Sequence, residues 1–453
     1  MIRNRQFLAH SLRLRSLCRS SNLGLLLLAS AFVSRVIGGE EPRSAEVAAR
    51  LQRIGVVTTV DSTANILTII DNGSLQDQDI RDFRSLEKLR SIELKPNSKL
   101  SENGLKELGS LSQLASLSLV GLPISQDVLK TLGRLEKLRC LSLEGCSLPK
   151  VGLDRLQDLS NLEELELRWT AFSDVTCLRN MVQLRYLGLS STKVTDQGMR
   201  GVTKLSELRV IQIADDRIGN ETLNRLRTIP KIEVINAMLS DVTDEGIIPL
   251  ASMPRLRRLT FGYTHLSDRG LEHIARIPTL ESIAIPSTNV TDAGIAQLRG
   301  AVALRDLDLG NTQIGDKSMK VIGTITSLRN LRLSGTRVTD SGVEQLNALK
   351  NLHSLDLGST GITDAGVRSL SSQSCLESLD LNWTKITNKS VPVLGTIKEL
   401  KRLDISFTDV TSCGSDHLRR LLPQCRIKCL GSGIRVTQGS GGGWVKRLGF
   451  TEE

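Results

Sequence analysis

The sequence predicts a right-handed α/β solenoid, with a parallel sheet on its concave side and helices on its convex side. Three observations support this fold class. First, residues 305–328, 329–352 and 353–376 are versions of one 24-residue pattern. Second, each unit begins with Leu-x-Leu or a close variant and continues with apolar residues at helical spacing. Third, aromatic residues make up only 3% of the chain, so leucine, isoleucine and valine must supply the core.

One unit is predicted to contain a short strand, a loop and a helix. Leu307 and Leu309 alternate with polar residues, as in a strand with one buried face. Met319, Ile322 and Ile325 recur at a spacing that is typical of the buried face of a helix. A single unit buries too little apolar surface to fold alone, so neighbouring units must stack. Stacking pairs the strands in parallel and builds one continuous core.

Polar residues also recur around the predicted turn. A small one follows most strands, at Thr170, Thr192, Thr264, Thr288, Thr312, Thr336, Thr360, Thr384 and Thr408, with Cys146, Asp216 and Ser240 at equivalent positions. We expect this column to satisfy backbone groups of adjacent coils. A Thr-Asp or Ser-Asp pair then precedes the helix, at 195–196, 243–244, 267–268, 291–292, 339–340 and 363–364. This position predicts that the side chains of the pair cap the helix that they begin.

The complete template reads L-x-L-x-x-T-x-[IV]-T-D-x-G-[LVM]-x-x-L-x-x-[LI]-x-x-L-x-x and is matched in register over more than 300 residues. It resembles the leucine-rich repeat family, and specifically its ribonuclease-inhibitor-like and cysteine-containing subgroups in an exported bacterial protein. The resemblance implies a leucine-rich repeat horseshoe that is used mostly for binding. Leu122 occupies one turn position, Asn388 and Ser412 replace the capping aspartate, and the unit 163–184 is two residues short. These departures affect local loop geometry and not the fold.

Residues 1–39 have the composition of an export signal. They contain six arginines, no acidic residue and the apolar run LGLLLLASAFV at 23–33. The run is too short to span a bilayer comfortably, which takes about 20 residues. A cleaved signal peptide is therefore the first interpretation and an uncleaved membrane anchor the alternative, so we expect a periplasmic, cell-surface or secreted protein. Without these arginines the formal net charge falls from +10 to about +4, which argues against nucleic-acid binding.

The rest of the chain is predicted to be one solenoid with two ends. Residues 40–65 read as an N-terminal cap, made of a helix and a hairpin that turns at 61–65. Residues 66–425 hold fifteen units, most of them 24 residues long. Residues 426–453 are expected to add a closing strand and then a Gly-rich flexible tail.

No enzyme, metal or cofactor motif stands out in the sequence. It contains no phosphate-binding glycine loop, nucleophile elbow, HExxH helix or CxxC pair, and its five histidines fall at unlike repeat positions. Four cysteines occupy repeat positions that suit packed thiols: Cys140, Cys146, Cys177 and Cys375. A disulfide among Cys413, Cys425 and Cys429 stays open. We therefore predict a non-enzymatic protein without metal or cofactor.

Candidate binding residues follow from the geometry of the strand. Side chains between the two strand leucines should point away from the core, onto the concave face. In the C-terminal half these residues are Asp308, Arg332, Asp356, Asp380 and Asp404. Aromatic residues stand shortly after the strands, at Trp169, Tyr263, Trp383 and Phe407. Exposed aromatics bordered by acids resemble an interface hot spot, so we expect a protein partner whose surface is basic and partly apolar.

Plainer explanations of these residues stay open. Aspartate between the strand leucines is common in the consensus of such repeats, and Trp383 and Phe407 could pack against the C-terminal tail. A weaker second candidate lies nearer the N-terminus and comprises Glu164, Glu166, Arg168, Trp169 and Tyr186.

The predicted function is a non-enzymatic scaffold that presents a concave surface to a protein partner. A nucleic-acid partner is not expected, and a membrane contact is expected only through an uncleaved N-terminal anchor. Three alternatives remain: a substrate-recognition adaptor of a ubiquitin-ligase-like system, an effector delivered into another cell, and an enzyme with a dispersed site.

Overall fold

The computed structural model describes residues 43–61, 66–149, 153–431, 436–438 and 444–446. The chain divides into two units, residues 1–43 and residues 44–453, and every strand lies in the second unit. The predicted export segment, residues 1–39, lies outside the described residues, so its role stays a prediction. In the described part of the chain, no helix is both long and apolar enough to cross a membrane.

Seventeen strands form one sheet in which each strand pairs with the next along the chain. They are β1 Val57–Val60, β2 Ile66–Ile70, β3 Ser91–Leu94, β4 Ser116–Leu119, β5 Cys140–Ser142, β6 Glu164–Glu166, β7 Tyr186–Gly188, β8 Val210–Gln212, β9 Val234–Asn236, β10 Arg258–Thr260, β11 Ser282–Ala284, β12 Asp306–Asp308, β13 Asn330–Arg332, β14 Ser354–Asp356, β15 Ser378–Asp380, β16 Arg402–Asp404 and β17 Arg426–Lys428. The pair β1–β2 is antiparallel and the pairs from β2–β3 to β16–β17 are parallel. This confirms the predicted open, parallel sheet of an α/β solenoid. Within the predicted tail, β18 Val436–Gln438 and β19 Trp444–Lys446 pair antiparallel.

Short helices connect the strands. The α-helices are α1 Arg43–Arg53, α2 Asp77–Asp82, α3 Glu102–Glu107, α4 Gln126–Leu132, α5 Asn220–Leu226, α6 Asp244–Ile247, α7 Asp268–Ala275, α8 Asp292–Ile295, α9 Asp316–Ile322, α10 Asp340–Val343, α11 Asp364–Ser369, α12 Val391–Leu394 and α13 Ser412–Leu421. Turns of 3₁₀-helix cover Phe83–Ser85, Leu108–Ser110, Leu153–Asp158, Val175–Leu178, Gly198–Lys204, Ile248–Ser252, Ala296–Leu298, Glu344–Ala348, Leu370–Ser372 and Asn388–Ser390. Between β5 and β8 the described helices are all 3₁₀, where the pattern predicted α-helix. The unit 163–184 is two residues short, and a 3₁₀-helix spans a given length with fewer residues.

The core is one continuous cluster of apolar side chains. Leu307 is 2% exposed and Leu309 is fully buried, as the strand pattern predicts. Met319 and Ile322, from the helix of the same coil, are fully buried in the same cluster. Phe261 takes the place of the second strand leucine in its own coil and is also fully buried. The two leucine positions therefore tie the strands of the repeats to the core.

The threonine column after the strands bonds within its own coil. The Thr312 hydroxyl donates to the Leu309 carbonyl at 2.6 Å, and the same bond recurs at Thr170, Thr264, Thr288, Thr336, Thr360, Thr384 and Thr408. The expectation that this column satisfies adjacent coils is wrong for these threonines, because the carbonyl three residues earlier lies within reach of the short side chain. Cys146 does bond to the adjacent coil, since its thiol donates to the Leu119 carbonyl at 2.9 Å.

The aspartate of each Thr-Asp pair connects neighbouring coils. Asp340 accepts a hydrogen bond from the Thr363 backbone N–H at 2.8 Å and another from the Thr363 hydroxyl at 2.6 Å. Asp244 accepts the same two bonds from Ser267, Asp268 from Thr291, Asp316 from Thr339 and Asp364 from Thr387. The prediction that these aspartates cap their own helices is therefore wrong, because each carboxylate binds the next coil. The predicted cap by Ser or Thr is found at Ser267, Thr291 and Thr363.

The glycine of T-D-x-G is explained by the same contact. A Cβ atom at Gly366 would lie 2.4 Å from a carboxylate oxygen of Asp340, which is too close. A Cβ atom would lie 2.4 to 2.5 Å from an aspartate oxygen at Gly270, Gly294 and Gly342, and 2.2 to 2.3 Å from an asparagine amide oxygen at Gly246 and Gly414. Where Thr222, Ser318 or Ser390 replaces the glycine, its hydroxyl donates to the facing carboxylate. The motif is thus a structural contact between coils.

Asp216 takes the place of a threonine in the turn column. It is 7% exposed, and one carboxylate oxygen accepts from the Thr192 backbone N–H at 2.7 Å and from the Thr192 hydroxyl at 3.0 Å. The other carboxylate oxygen has no hydrogen-bond partner among the described residues. Burial raises the pKa of Asp216 to about 7, more than the bonds from Thr192 lower it.

Replacing Leu309 by aspartate tests the assignment of the core positions. The variant buries an unpaired carboxylate, so we expect the free energy of unfolding to fall by about 3 kcal/mol or more, measured by urea denaturation. Leu239→Asp is the matched control, because Leu239 is 42% exposed and Asp215 already occupies the equivalent backbone position. Equal stability of the two variants would contradict the assignment.

Replacing Asp216 by asparagine tests the buried carboxyl. The folded-state pKa is about 7 and the ordinary value is 3.8, so the native state loses stability as the pH rises between these values. Asparagine does not ionise. The free energy of unfolding of Asp216→Asn should therefore exceed that of wild type by on the order of 2–4 kcal/mol at about pH 8, and the two should be equal at about pH 4. Thermal melts check this, with the neighbouring Asp215→Asn as control, and a difference that is independent of pH would refute the assignment.

Candidate functional site

In the C-terminal half, the residues that follow the first buried leucine of each strand form a charged row. The core leucines of adjacent strands pair in register, so the residue that follows each of them points outward and stands beside its counterpart, about 4.8 Å away. The structure thereby brings together Asp308, Arg332, Asp356, Asp380 and Asp404, one from each of β12 to β16. We call this surface of the sheet the outward face.

The aspartates at both ends of the charged row make ion pairs, one with a cation of the row and one with a cation of the next strand, β17. Arg332 makes an ion pair with Asp308 at 3.5 Å, and Lys428 makes one with Asp404 at 2.8 Å. Lys428 was not predicted as part of this surface because it lies in the closing strand, after the last recognisable unit. Among the described residues, neither Asp356 nor Asp380 has a cation within ion-pair distance.

Asp356 and Asp380 are half-buried, and each is held by short-range hydrogen bonds. Asp356 accepts from the Ser334 hydroxyl and the Gly358 backbone N–H, both at 3.0 Å. Burial nevertheless raises the pKa of Asp356. Burial, together with the charges of Asp356 and Asp404, raises the pKa of Asp380 to about 6, against the bond from the Asn382 backbone N–H. Both ionised carboxylates would be stabilised by an approaching cation.

A second row follows the strands, at the residue just before the turn column. Its backbone is left-handed, with φ between 55° and 59° at Trp169, Ser191, Asp215, Leu239, Tyr263, Ser287, Asn311, Ser359, Trp383 and Phe407, and with glycine at 121, 145, 335 and 431. We call this the left-handed row. Small or polar residues suit such a backbone, whereas bulky apolar ones are rare in it. Leu239 was not predicted as a site residue, although its signal is visible in the sequence as an apolar residue in a row of Ser, Asn, Asp and Gly.

Trp383 and Phe407 contact each other, whereas the other predicted aromatics stand apart. The two rings are stacked with centroids 4.5 Å apart and an angle of 21° between their planes. Both side chains are half-buried, and Trp383 follows Asp380 by three residues in the same coil. Tyr263 is 44% exposed but lies five strands away, after β10. Trp169, after β6, is farther still.

The predicted N-terminal candidate is a network of ion pairs and a hydrogen bond. Arg168 makes ion pairs with Glu144 at 3.3 Å and Glu166 at 3.0 Å, and its guanidinium lies 5.6 Å from the Trp169 ring centroid. The Tyr186 hydroxyl donates to Glu166 at 2.8 Å. Trp169 remains 53% exposed beside this network. The charges of Arg168 and Glu166 are therefore paired within the network, and Trp169 is its accessible part.

The described residues bring no reactive constellation together. They contain no group of three His, Cys, Asp or Glu side chains placed to hold a metal ion. Burial raises the pKa of the Cys146 thiol to about 11 and that of the Cys177 thiol to about 12, so neither is a reactive thiolate near neutral pH. Cys413, Cys425 and Cys429, whose pairing the sequence left open, form no disulfide.

Comparisons with known proteins agree with this architecture. A family model described as "Leucine-rich repeat region" matches residues 62–297, just over half of the chain, and one described as "Leucine Rich repeat" matches 303–323, 324–346, 348–371 and 372–391. No curated protein sequence matches significantly.

Two solved bacterial structures share the fold. An internalin from Listeria monocytogenes is 22% identical, with a TM-score of 0.55 over 73% of this chain and 89% of that chain. A leucine-rich repeat protein from Leptospira interrogans is 18% identical, with a TM-score of 0.51 over 84% of this chain and 98% of that chain. At these identities the likeness is one of fold. The family models, which match the repeats themselves, show that the chain belongs to the leucine-rich repeat family.

Proposed function

We propose that this protein is a non-enzymatic scaffold that binds a protein partner on the outward face of its sheet. The observation that carries the proposal is the cluster of Asp356, Asp380, Trp383 and Phe407, which we call the C-terminal patch. It combines two carboxylates that lack an ion-pair partner among the described residues with two stacked, partly exposed aromatic rings. Aromatic side chains surrounded by charge are the usual composition of an interface hot spot.

The backbone supports a role for the aromatic pair. A left-handed conformation costs about 1–2 kcal/mol for a residue with a side chain, although Asn and Asp tolerate it better. Trp383 and Phe407 both adopt this conformation with bulky side chains, whereas the same row holds the better-suited Asn311 in another coil. Stacking of the two rings returns about 0.5–1.5 kcal/mol beyond the apolar area that they already bury. Contact with a partner would bury more of both rings, which are half-buried in the free protein.

The carboxylates indicate the chemistry of that partner. Burial makes Asp356 and Asp380 costly to ionise, and a lysine or arginine from outside would offset that cost. Arg332 and Lys428 already make ion pairs with the flanking Asp308 and Asp404. The carboxylates of the row that a partner's cation could still stabilise are therefore the two in the patch. A basic partner surface therefore fits best.

The scaffold holds this surface ready before binding. Each patch residue lies in or just after a strand that pairs with a neighbour on both sides, so little of it must be ordered on association. The template favours the ribonuclease-inhibitor-like subgroup, and the composition of residues 1–39 favours an exported protein. We include both in the proposal.

Affinity capture from a native extract tests the patch. The full chain is the bait, and it is compared with Asp356→Lys/Asp380→Lys and with Trp383→Asn/Phe407→Asn. Asparagine is chosen because Asn311 already occupies the left-handed row. We expect each double variant to retain the wild-type melting temperature within a few degrees and to lose at least about tenfold in retained partner.

A matched control separates the patch from overall charge. Glu344→Lys/Glu399→Lys makes the same change in net charge at exposed positions outside the strands. It should retain the partner as wild type does. If all of the folded variants retain the same proteins, the C-terminal patch is not the binding site and the proposal is wrong.

A further inference from the structure

The outward face changes in character between β11 and β12. At the position that follows the first buried residue of each strand, the five strands β7 to β11 carry only uncharged residues. The next five strands, β12 to β16, carry only charged residues there. The uncharged residues are Gly188, Gln212, Asn236, Thr260 and Ala284. Charged residues make up 24% of the chain, so this division is a specific feature of the face.

The strands β7 to β11 and the turns after them also carry apolar side chains. Val210 and Val234 point outward side by side on paired strands, Val210 half-buried and Val234 8% exposed. Leu239 and Tyr263, in the left-handed row, are 42% and 44% exposed. Met238 lies between these groups and is half-buried. We call these five residues the central patch. Its two exposed members, Leu239 and Tyr263, lie in adjacent coils, and neighbouring exposed apolar side chains mark an interaction surface.

The border of the central patch carries mostly neutralised charge. Arg209 makes an ion pair with Glu233 at 3.4 Å, and Arg257 makes one with Glu281 at 2.5 Å. Arg258, the first residue of β10, is exposed and positive. It would repel a basic group at this end of the face, and such repulsion fixes orientation as effectively as attraction does.

We infer that the partner presents one extended segment whose apolar, uncharged part lies on the central patch and whose basic part lies on the C-terminal patch. This inference rests on the proposed function and specifies the partner. Strands of three residues leave an outward face about 10 Å wide, which accommodates one extended chain that runs across the strands.

The distance between the patches sets the spacing within the segment. From β9 to β14 there are five strand steps, which span about 24 Å at about 4.8 Å each. An extended chain advances about 3.3 Å per residue, so the apolar and basic groups should be about seven residues apart.

Panning tests this inference directly. Random linear peptides of about 12 residues, displayed on phage, are selected on the full chain, since that length covers both patches. Enriched peptides should contain Leu, Ile, Phe or Trp in one half and Lys or Arg in the other. One such peptide is then synthesised and its affinity measured by fluorescence polarisation.

Variants on each patch should weaken this peptide independently. We expect at least about a tenfold loss from Asp356→Lys/Asp380→Lys and from Leu239→Asn/Tyr263→Asn, with no loss from Glu344→Lys/Glu399→Lys. A peptide with its basic residues changed to glutamate should bind Asp356→Lys/Asp380→Lys better than wild type. That reversal is not expected from a variant that has merely misfolded.

The contrary outcomes are distinct. Enriched peptides without basic residues, peptides that are insensitive to Leu239→Asn/Tyr263→Asn, or a panning that enriches nothing would each overturn the two-part segment. The scaffold function would stand in those cases if native capture still depended on the C-terminal patch. Loss of that dependence would overturn the scaffold proposal itself.

Discussion

The hydrogen bonds that an aspartate at the start of one helix accepts from the backbone and hydroxyl of the next coil organise most of the solenoid. Asp340 and Thr363 illustrate the contact, which recurs with a separation of 23 residues. Since the carboxylate fills the space beside the following turn, that turn must carry glycine, as at Gly366, or a hydroxyl that can bond to the carboxylate, as at Ser318. One polar contact thus dictates three positions of the repeat and keeps successive strands in register.

Because the coil contacts use the inward and turn positions, the outward positions are free to differ from coil to coil. The strand leucines are buried throughout, whereas the residue that follows the first of them ranges from Gly188 to Arg332. Functional information is therefore found in departures from the repeat and not in its consensus. Trp383 and Leu239 are such departures, since most members of the left-handed row are small or polar.

Most of the architecture could be predicted because period and apolar spacing are properties of the chain itself. The strand at Leu307, the buried helix face at Ile322 and the outward direction of Asp356 all follow from the template. The direction of the Asp340 hydrogen bonds could not be predicted, because a carboxylate at a helix start can reach its own backbone or that of its neighbour. The ion pair of Lys428 was also missed, since the last strand lacks the template that marks the others.

The two patches are unfavourable to the isolated protein in different ways, and this argues that they serve a common purpose. Trp383 and Tyr263 hold a left-handed backbone that Asn311 adopts at lower cost in the same row. Asp380 carries a carboxylate with a raised pKa, although Thr260 and Ala284 show that the outward position accepts neutral residues. A partner with an apolar part and a basic part would relieve both costs at once, whereas a purely apolar or purely basic partner would relieve one and leave the other unmatched.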